Sequence, residues 1–561
     1  MTDSKTPHKK RILYVGETPT ANSGFGKITK ELLTRLYKTG KYEIAELSGY
    51  GTVNNPKENV PWMVYPNAVK PDDPRIEQYN SDQANQFGKW RFERVCLDFR
   101  PSIISDSRDP WDFTFEDTSP YRRFYHWLLN PTFDSAPCNL PWLQMYMNAD
   151  SVLSYSQWAY DCMKKESGGK MKLAGNGSPG VDINIFHPPV NKKELRAKLG
   201  LPPDANIVCV VMRNQKRKLY SDLFIAFRKF LDLCIERGQE ELVKKTFLYV
   251  HTSYPDSGWN LARLLKEERI SHKVYFTYIC RECNQHFGAL FSDARTVCAR
   301  CGKPSALCPS VSQGISEEEL SEVYQCMDLY IQYAICEGCG MPQLESGACG
   351  VPIMSVDYSA MSTIVRDLEG TPLKVKTMFR ELETDANRAY PDNDFCAEKI
   401  YEFFMKPQMI RDKLGARTRE LTEKHYGWDV IAKIWEDHLD SIQLTGDQGK
   451  WDAPPRFYTI PTNMLPDSVP NSEFVRWILA DVMKTPEKIY EYEGMHMLQT
   501  LNFGAQINGR AMVPFNRKNL FDVVVAKLHH INNHERARIN RNSLPLEDYI
   551  EYAHLKKEIY G

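Results

Sequence analysis

The sequence lacks any uninterrupted apolar run of the roughly 18 residues that a membrane-crossing helix needs. Its first stretch, Met1 to Lys10, is polar and lysine-bearing with no apolar segment behind it, so it does not read as a secretory leader. Charge of one sign is missing too: 71 Lys and Arg against 72 Asp and Glu leave a formal net charge of -1. Any basic surface for nucleic acid must therefore be local. There is no repeat of solenoid length and no low-complexity tract. Cysteine is not scarce, at 15 residues. With no leader and four of the cysteines in a metal-like spacing, reduced thiols fit better than a disulfide framework. The expectation is a soluble cytoplasmic protein (the host cytoplasm if viral) with no membrane partner. A length of 561 residues is enough for three or four units.

What is present is strand alternating with helix, twice over. Ile12 to Val15 is a short apolar run ending at Gly16, and after it Ile28, Leu32, Leu33 and Leu36 recur at helical spacing. Ser102 to Ser105, Phe124 to Leu129 and Ser151 to Leu153 read as further strands of that sheet. The pattern restarts at Ile207 to Val211, followed by the helical spacing of Leu223, Phe224, Phe227, Phe230 and Leu231 and by strands at 247–250, 274–276 and 329–331. The class is α/β, with two doubly wound Rossmann-like units. The expected boundaries are 10–188 and 189–444, then a Gly-, Pro-, Asp- and Asn-rich linker or strap at 445–470 and a helical extension at 471–561.

Chemistry-bearing residues fall at matching places on this frame. The loop Ser23 to Gly26 follows the first strand and precedes a helix, where Gly24 and Gly26 would let backbone amides approach phosphate or sugar oxygens. Arg213 and Lys218 follow the strand 207–211 at the carboxyl edge of a sheet, and two cations there suit a diphosphate. The stretch Glu337-Gly338-Cys339-Gly340-Met341-Pro342-Gln343-Leu344-Glu345 sets two carboxylates around a glycine loop. With Pro342 at an expected helix start, the loop amides would point at a bound anion. Both acids could accept hydrogen bonds from sugar or ribose hydroxyls. Asp392-Asn393-Asp394 spells D-x-D, but it follows Tyr390-Pro391 and precedes a helical pattern, so a turn and N-cap role is expected. His251 and His272 are read as structural or surface residues.

In this order, over roughly Arg11 to Leu439, the residues resemble the retaining glycosyltransferases of family 4. Glu337 and Glu345 resemble the family's E-x(7)-E pair, and Arg213 with Lys218 its R-x(4)-K phosphate clamp. Gly177 to Pro188 resembles the interdomain NGVDxxxFxP segment, interrupted here by Ser178 and Pro179, and Cys339 stands where an aromatic is frequent. His126 resembles a histidine facing the donor sugar, and Tyr426-Gly427-Trp428 the segment that crosses back to the first domain. The resemblance implies a GT-B fold and a nucleotide-sugar donor held mainly by the second half. Glu345 would take the ribose, Glu337 with the Gly338 to Met341 amides the transferring sugar, and Arg213 and Lys218 the diphosphate. Neither a side-chain nucleophile nor a catalytic metal is expected.

Cys280-x2-Cys283 and Cys298-x2-Cys301 are two thiolate hairpins, with Gly302 just after the second. Four sulfurs so spaced can close a tetrahedral, structural Zn2+ site within an inserted ribbon at 279–312. Cys308, Cys336 and Cys339 are not read as ligands. The ribbon's Arg281, Arg295, Arg300 and Lys303 face only Glu282 and Asp293, and the tail adds Lys527, His529, His530, His534, Arg536, Arg538 and Arg541. These keep open a DNA acceptor, such as a hydroxymethylated base of the kind some bacteriophage enzymes modify. The alternatives are a glycan or small-molecule acceptor, a nucleotide-sugar epimerase, or a nucleic-acid-binding protein on an inactive transferase fold.

Overall fold

The computed structural model describes residues 9–21, 23–52, 59–292, 295–310, 312–485, 487–506 and 512–540. Asp293, Arg541 and the rest of the tail lie outside the described residues. Seven strands form the first sheet: β1 (Arg11–Glu17), β2 (Glu43–Gly49), β3 (Met63–Pro66), β4 (Ile103–Asp106), β5 (His126–Leu129), β6 (Ser151–Ser154) and β7 (Leu173–Asn176). Their order is β3-β2-β1-β4-β5-β6-β7 and every pairing is parallel. Helices cover both faces, so Ile12 to Val15 at the centre are buried without alternation. Strand β5 begins two residues later than expected, because Arg122–Phe124 is a 3-10 turn.

The second sheet comprises β8 (Asn206–Val211), β9 (Thr246–His251), β10 (Val274–Cys280), β11 (His286–Leu290), β12 (Ala306–Leu307), β13 (Leu329–Gln332), β14 (Ile353–Val356) and β15 (Thr371–Leu373). The order is β11-β10-β9-β8-β13-β14-β15, parallel except where β11 and β12 pair antiparallel with β10. A hairpin, β16 (Val375–Glu381) and β17 (Ala386–Pro391), follows and has no counterpart in the sequence reading. Two Rossmann-like sheets facing one cleft are a GT-B architecture, with the four-cysteine insertion after β10 and helices at the C-terminal end.

The chain crosses between the units twice, and the crossings touch: Val181 forms a parallel bridge with Gly427. The returning helix Trp428–Ser441 packs on the first unit. Lys10 Nζ donates to the Leu439, Asp440 and Ile442 carbonyls at 2.6, 3.0 and 2.9 Å, placing a cation on the negative end of the helix. Beyond it the strap lies on the first unit. Trp451 is buried, stacks on Phe124 at 5.0 Å and donates to the Pro101 carbonyl at 2.9 Å. The helices Asn471–Trp477, Glu487–Phe503 and Arg517–Ile539 follow, and Phe474, Ile478, Leu520, Val524 and Leu528 make a small core of their own. Among the described residues no helix is long and apolar enough to cross a membrane.

Candidate active site

The loop after β13 carries Glu337 into the cleft, and three side chains converge on its carboxylate. Lys218 Nζ contacts Oε1, Arg217 donates to Oε2 at 2.9 Å, and Gln332 at the end of β13 donates to Oε1 at 2.7 Å. Burial alone would raise the Glu337 pKa, but Lys218 and Arg217 outweigh it and hold the carboxyl at about 2. Burial first, and then the neighbouring Arg217, bring Lys218 down to about 8. Arg217 is 42% exposed, so this cation can also meet an anion in the cleft. The Glu337 backbone is pinned by Ser359 Oγ at 3.0 Å, from a serine in left-handed backbone at φ +55°.

Sequence reasoning paired Arg213 with Lys218, and the structure separates them. Arg213 turns to Asp256, donating at 2.8 and 3.1 Å, while Arg217 takes the place beside Lys218 at Glu337. The signal for Arg217 was only its adjacency to Lys218 in a run of cations.

The glycine loop then turns into the helix Met341–Ala348. Gly340 caps it at φ +85°, a backbone that L side chains rarely adopt, and Pro342 opens the first turn. Gly338 lies so close to Thr132 of the first unit that a Cβ would sit 3.2 Å from the threonine Cβ. Cys339 is buried against Ser178 in the interdomain segment, its sulfur 3.9 Å from the hydroxyl. Both amide atoms of the fully buried Gln343 have no protein partner among the described residues.

Glu345, one turn into that helix, accepts from Tyr324 at 3.0 Å and from Lys27 of the first unit at 2.8 Å. Lys27 follows the first unit's own glycine loop. There Ser23 caps the helix Gly24–Lys38 by accepting from the Gly26 amide at 3.0 Å, and Gly24 faces Met341 across the cleft. Lys27 and Tyr324 carry no motif of their own in the sequence.

The first unit adds carboxylates after the carboxyl ends of β4 and β5. Thr132 donates to Asp109, whose pKa burial and the nearby Asp134 raise to about 6. Asp134 accepts from Arg388 of the β16–β17 hairpin at 3.0 Å. His126 does not reach this edge. It opens β5 at the opposite end of the parallel sheet, buried, with Nε2 2.8 Å from Ser151 Oγ, which in turn lies 3.0 Å from His438. Parallel sheets present ligands at the carboxyl ends of their strands, so its assignment to the donor sugar is corrected. Asp392 caps the helix Asn393–Phe404 by accepting from the Asp394 and Phe395 amides, as expected of it.

Cys280 ends β10, and the two cysteine hairpins repeat one geometry. The Asn284 amide donates to the Cys280 carbonyl and the Gly302 amide to that of Cys298; the Cys280 and Cys298 amides donate to the Gln285 and Lys303 carbonyls. The sulfurs of Cys280 and Cys301 lie 3.5 Å apart, those of Cys283 and Cys298 3.7 Å, and all four fall within 4.8 Å of one another. Four thiolates about 2.3 Å from a tetrahedral zinc would be roughly 3.8 Å apart, so the cluster fits that ion.

Part of the basic tail is taken up in contacts with the rest of the chain. Arg538 is buried and donates to Glu535 at 2.6 Å and to the Trp451 carbonyl at 2.7 Å; Arg536 donates to Asn533; His530 meets Glu93. In the ribbon Lys303 pairs with Glu282 at 3.0 Å. Arg538, His530 and His534, three of the cations expected to track phosphate, are thus engaged in holding the extension to the body of the protein.

The cleft and its two sheets are those of the GT-B glycosyltransferase fold. Residues 310–388, which span β13 and the glycine loop, match the family described as Glycosyl transferases group 1. D-inositol 3-phosphate glycosyltransferase of Streptomyces bingchenggensis is 24% identical over 289 residues, covering 52% of this chain and 52% of that protein. The chain thus spans about half the length of that curated relative. Sucrose-phosphate synthase from Thermosynechococcus elongatus shares the fold at a TM-score of 0.55 and 17% identity, over 78% of this chain and 100% of the other. Anabaena HepE in complex with UDP-glucose does so at 0.51 and 11%, over 77% and 100%.

Proposed function

We propose that this chain transfers a sugar from a nucleotide-sugar donor to a hydroxyl acceptor with retention of configuration. The observation that carries the reading is the buried carboxylate of Glu337 flanked by Lys218 and Arg217, on a loop feeding a helix N-terminus that opens on the cleft between the two units. Charge grows on the leaving phosphate as the glycosidic bond breaks, and fixed cations favour that state over the bound donor. Lys218 and Arg217 are assigned to the diphosphate, with Arg213 at its outer edge. Glu337 with the Gly338 to Met341 amides takes the transferring sugar, and Glu345 the ribose. The buried amide of Gln343 beneath Gly340 supports a polar ligand at this loop. Asp109 and Thr132 on the facing unit are assigned to the acceptor. UDP-glucose, the molecule bound in the HepE complex, is the first donor to test. Cys280, Cys283, Cys298 and Cys301 are proposed to hold a structural zinc.

The test incubates purified protein with UDP-, GDP- and ADP-sugars and follows sugar release by mass spectrometry. Acceptor arms contain glycans, small-molecule alcohols and DNA bearing hydroxymethylated pyrimidines. Donor turnover that rises with one acceptor class, with the product anomer matching the donor by NMR, is the expected result. Failure to bind or consume any nucleotide sugar overturns the reading, and an inverted anomer overturns the mechanism.

A further inference from the structure

The C-terminal helix Arg517–Ile539 lies on the first unit far along the chain from the cleft residues, and one contact there is chemically distinctive. His530 and His534 are four residues apart, so they share a helix face, and their ring centroids are 4.3 Å apart. Both point at one carboxylate, that of Glu93 on the helix Trp90–Phe99. His530 Nε2 lies 3.1 Å from Oε1 and His534 Nε2 3.5 Å from Oε2, and one donor atom from each of the three falls within 4.8 Å of the others.

We infer that Glu93, His530 and His534 form a binding site for a divalent transition-metal ion of the zinc type, which clamps the C-terminal extension to the first unit. Two ligands about 2.0–2.1 Å from a tetrahedral ion are roughly 3.4 Å apart, and each imidazole nitrogen lies near that distance from one of the two Glu93 oxygens, so a carboxylate turned toward both rings closes the site. Two imidazoles with one carboxylate suit zinc, cobalt or nickel, whereas magnesium and calcium prefer oxygen alone. The outer contacts fit as well. Nδ1 of His534 lies 3.1 Å from the hydroxyl of the buried Tyr121, a partner that fixes the ring with Nε2 toward Glu93. Glu93 and His530 also line a cavity of about 680 Å³ with Arg75, Lys89 and Lys527 on its walls, so a fourth coordination position has room for water or an anionic ligand.

The site is separable from the four-cysteine cluster by spectroscopy on the full-length chain. After chelation and dialysis, the protein is titrated with Co2+ and its metal content measured. Two equivalents are expected, one with the intense near-ultraviolet thiolate-to-cobalt band and one without it. His530→Ala, His534→Ala and Glu93→Gln should each lose the second equivalent and keep the thiolate band, which also reports that the variant is folded. In the unmodified chain, Zn2+ should protect His530 and His534 from diethyl pyrocarbonate, mapped by mass spectrometry, by tenfold or more. A single equivalent, a second equivalent that survives all three substitutions, or histidines modified equally with and without Zn2+ would overturn the proposal.

Discussion

Lys27 of the first unit lies 2.8 Å from Glu345 and 2.5 Å from Glu317, both on the second, and its ammonium sits 5.3 Å from the Phe186 ring centroid in the segment between them. Burial opposes the charge on this lysine, yet the two glutamates hold its pKa above the ordinary range. The pair fastens the units together across the cleft at the carboxylate assigned to the ribose.

Lys27→Met should therefore loosen the unliganded arrangement. Small-angle scattering should give a larger radius of gyration for the variant, and saturating donor should return it to the unsubstituted value. Identical radii without donor would remove the fastening role.

Loss of the charges around Glu337 should act on turnover more than on folding. Glu337→Gln and Lys218→Ala are each expected to lower kcat about 100-fold or more, the scale of a lost electrostatic group at a transition state. Lys218 loses its proton as pH rises through about 8, so kcat/KM for the donor should fall on that side. The limb should be absent in Lys218→Arg, whose guanidinium stays charged. A pH profile unchanged by Lys218→Arg would exclude Lys218 as its source.

His126→Gln should leave donor turnover within about twofold, since the ring lies at the far edge of its sheet. Its effect belongs to stability. Burial lowers the folded-state pKa from 6.5 to about 4, so the unfolded chain takes up more protons between those values. The contribution is complete above 6.5 and is lost as pH falls toward 4. Thermal unfolding followed over that range should show a shallower acid decline in His126→Gln.

Cys298→Ser should remove one equivalent of zinc and lower the melting temperature by several degrees, because a closed four-thiolate site contributes folding energy rather than chemistry. Donor hydrolysis per folded molecule should change less than threefold. A fall comparable to that of Glu337→Gln would place the ribbon in the reaction itself.

Trp451→Ala should cost about 3–5 kcal/mol in denaturant unfolding, as aromatic truncations in a packed core do. Limited proteolysis should then release the C-terminal helices first, since the stacked indole and its bond to Pro101 tie the strap down.

Much of this was legible from local pattern. Ile12 to Val15 and Ile207 to Val211 are buried on both faces and read as continuous apolar runs, and Cys280 to Cys301 declare themselves by spacing. Asp392 was readable as a cap because its partners are the next amides in the chain. What failed was direction and distance. The strand containing His126 was found, but apolar periodicity does not fix where it begins, and His126 proves to be its first residue rather than one near its carboxyl end. Arg213 and Lys218 are close in sequence, yet backbone direction after β8 sends one to Asp256 and the other to Glu337. Lys27 and Glu345 are 318 positions apart, and no short-range pattern encodes their meeting.

The bridge between Val181 and Gly427 has a mechanical consequence. The chain leaves the first unit and returns to it at adjacent points, so the second lobe hangs as a closed excursion from a two-thread pivot. Any rearrangement of the second lobe must pass through these two adjacent threads and must first release the contacts that span the cleft, Lys27 with Glu345 and Arg388 with Asp134.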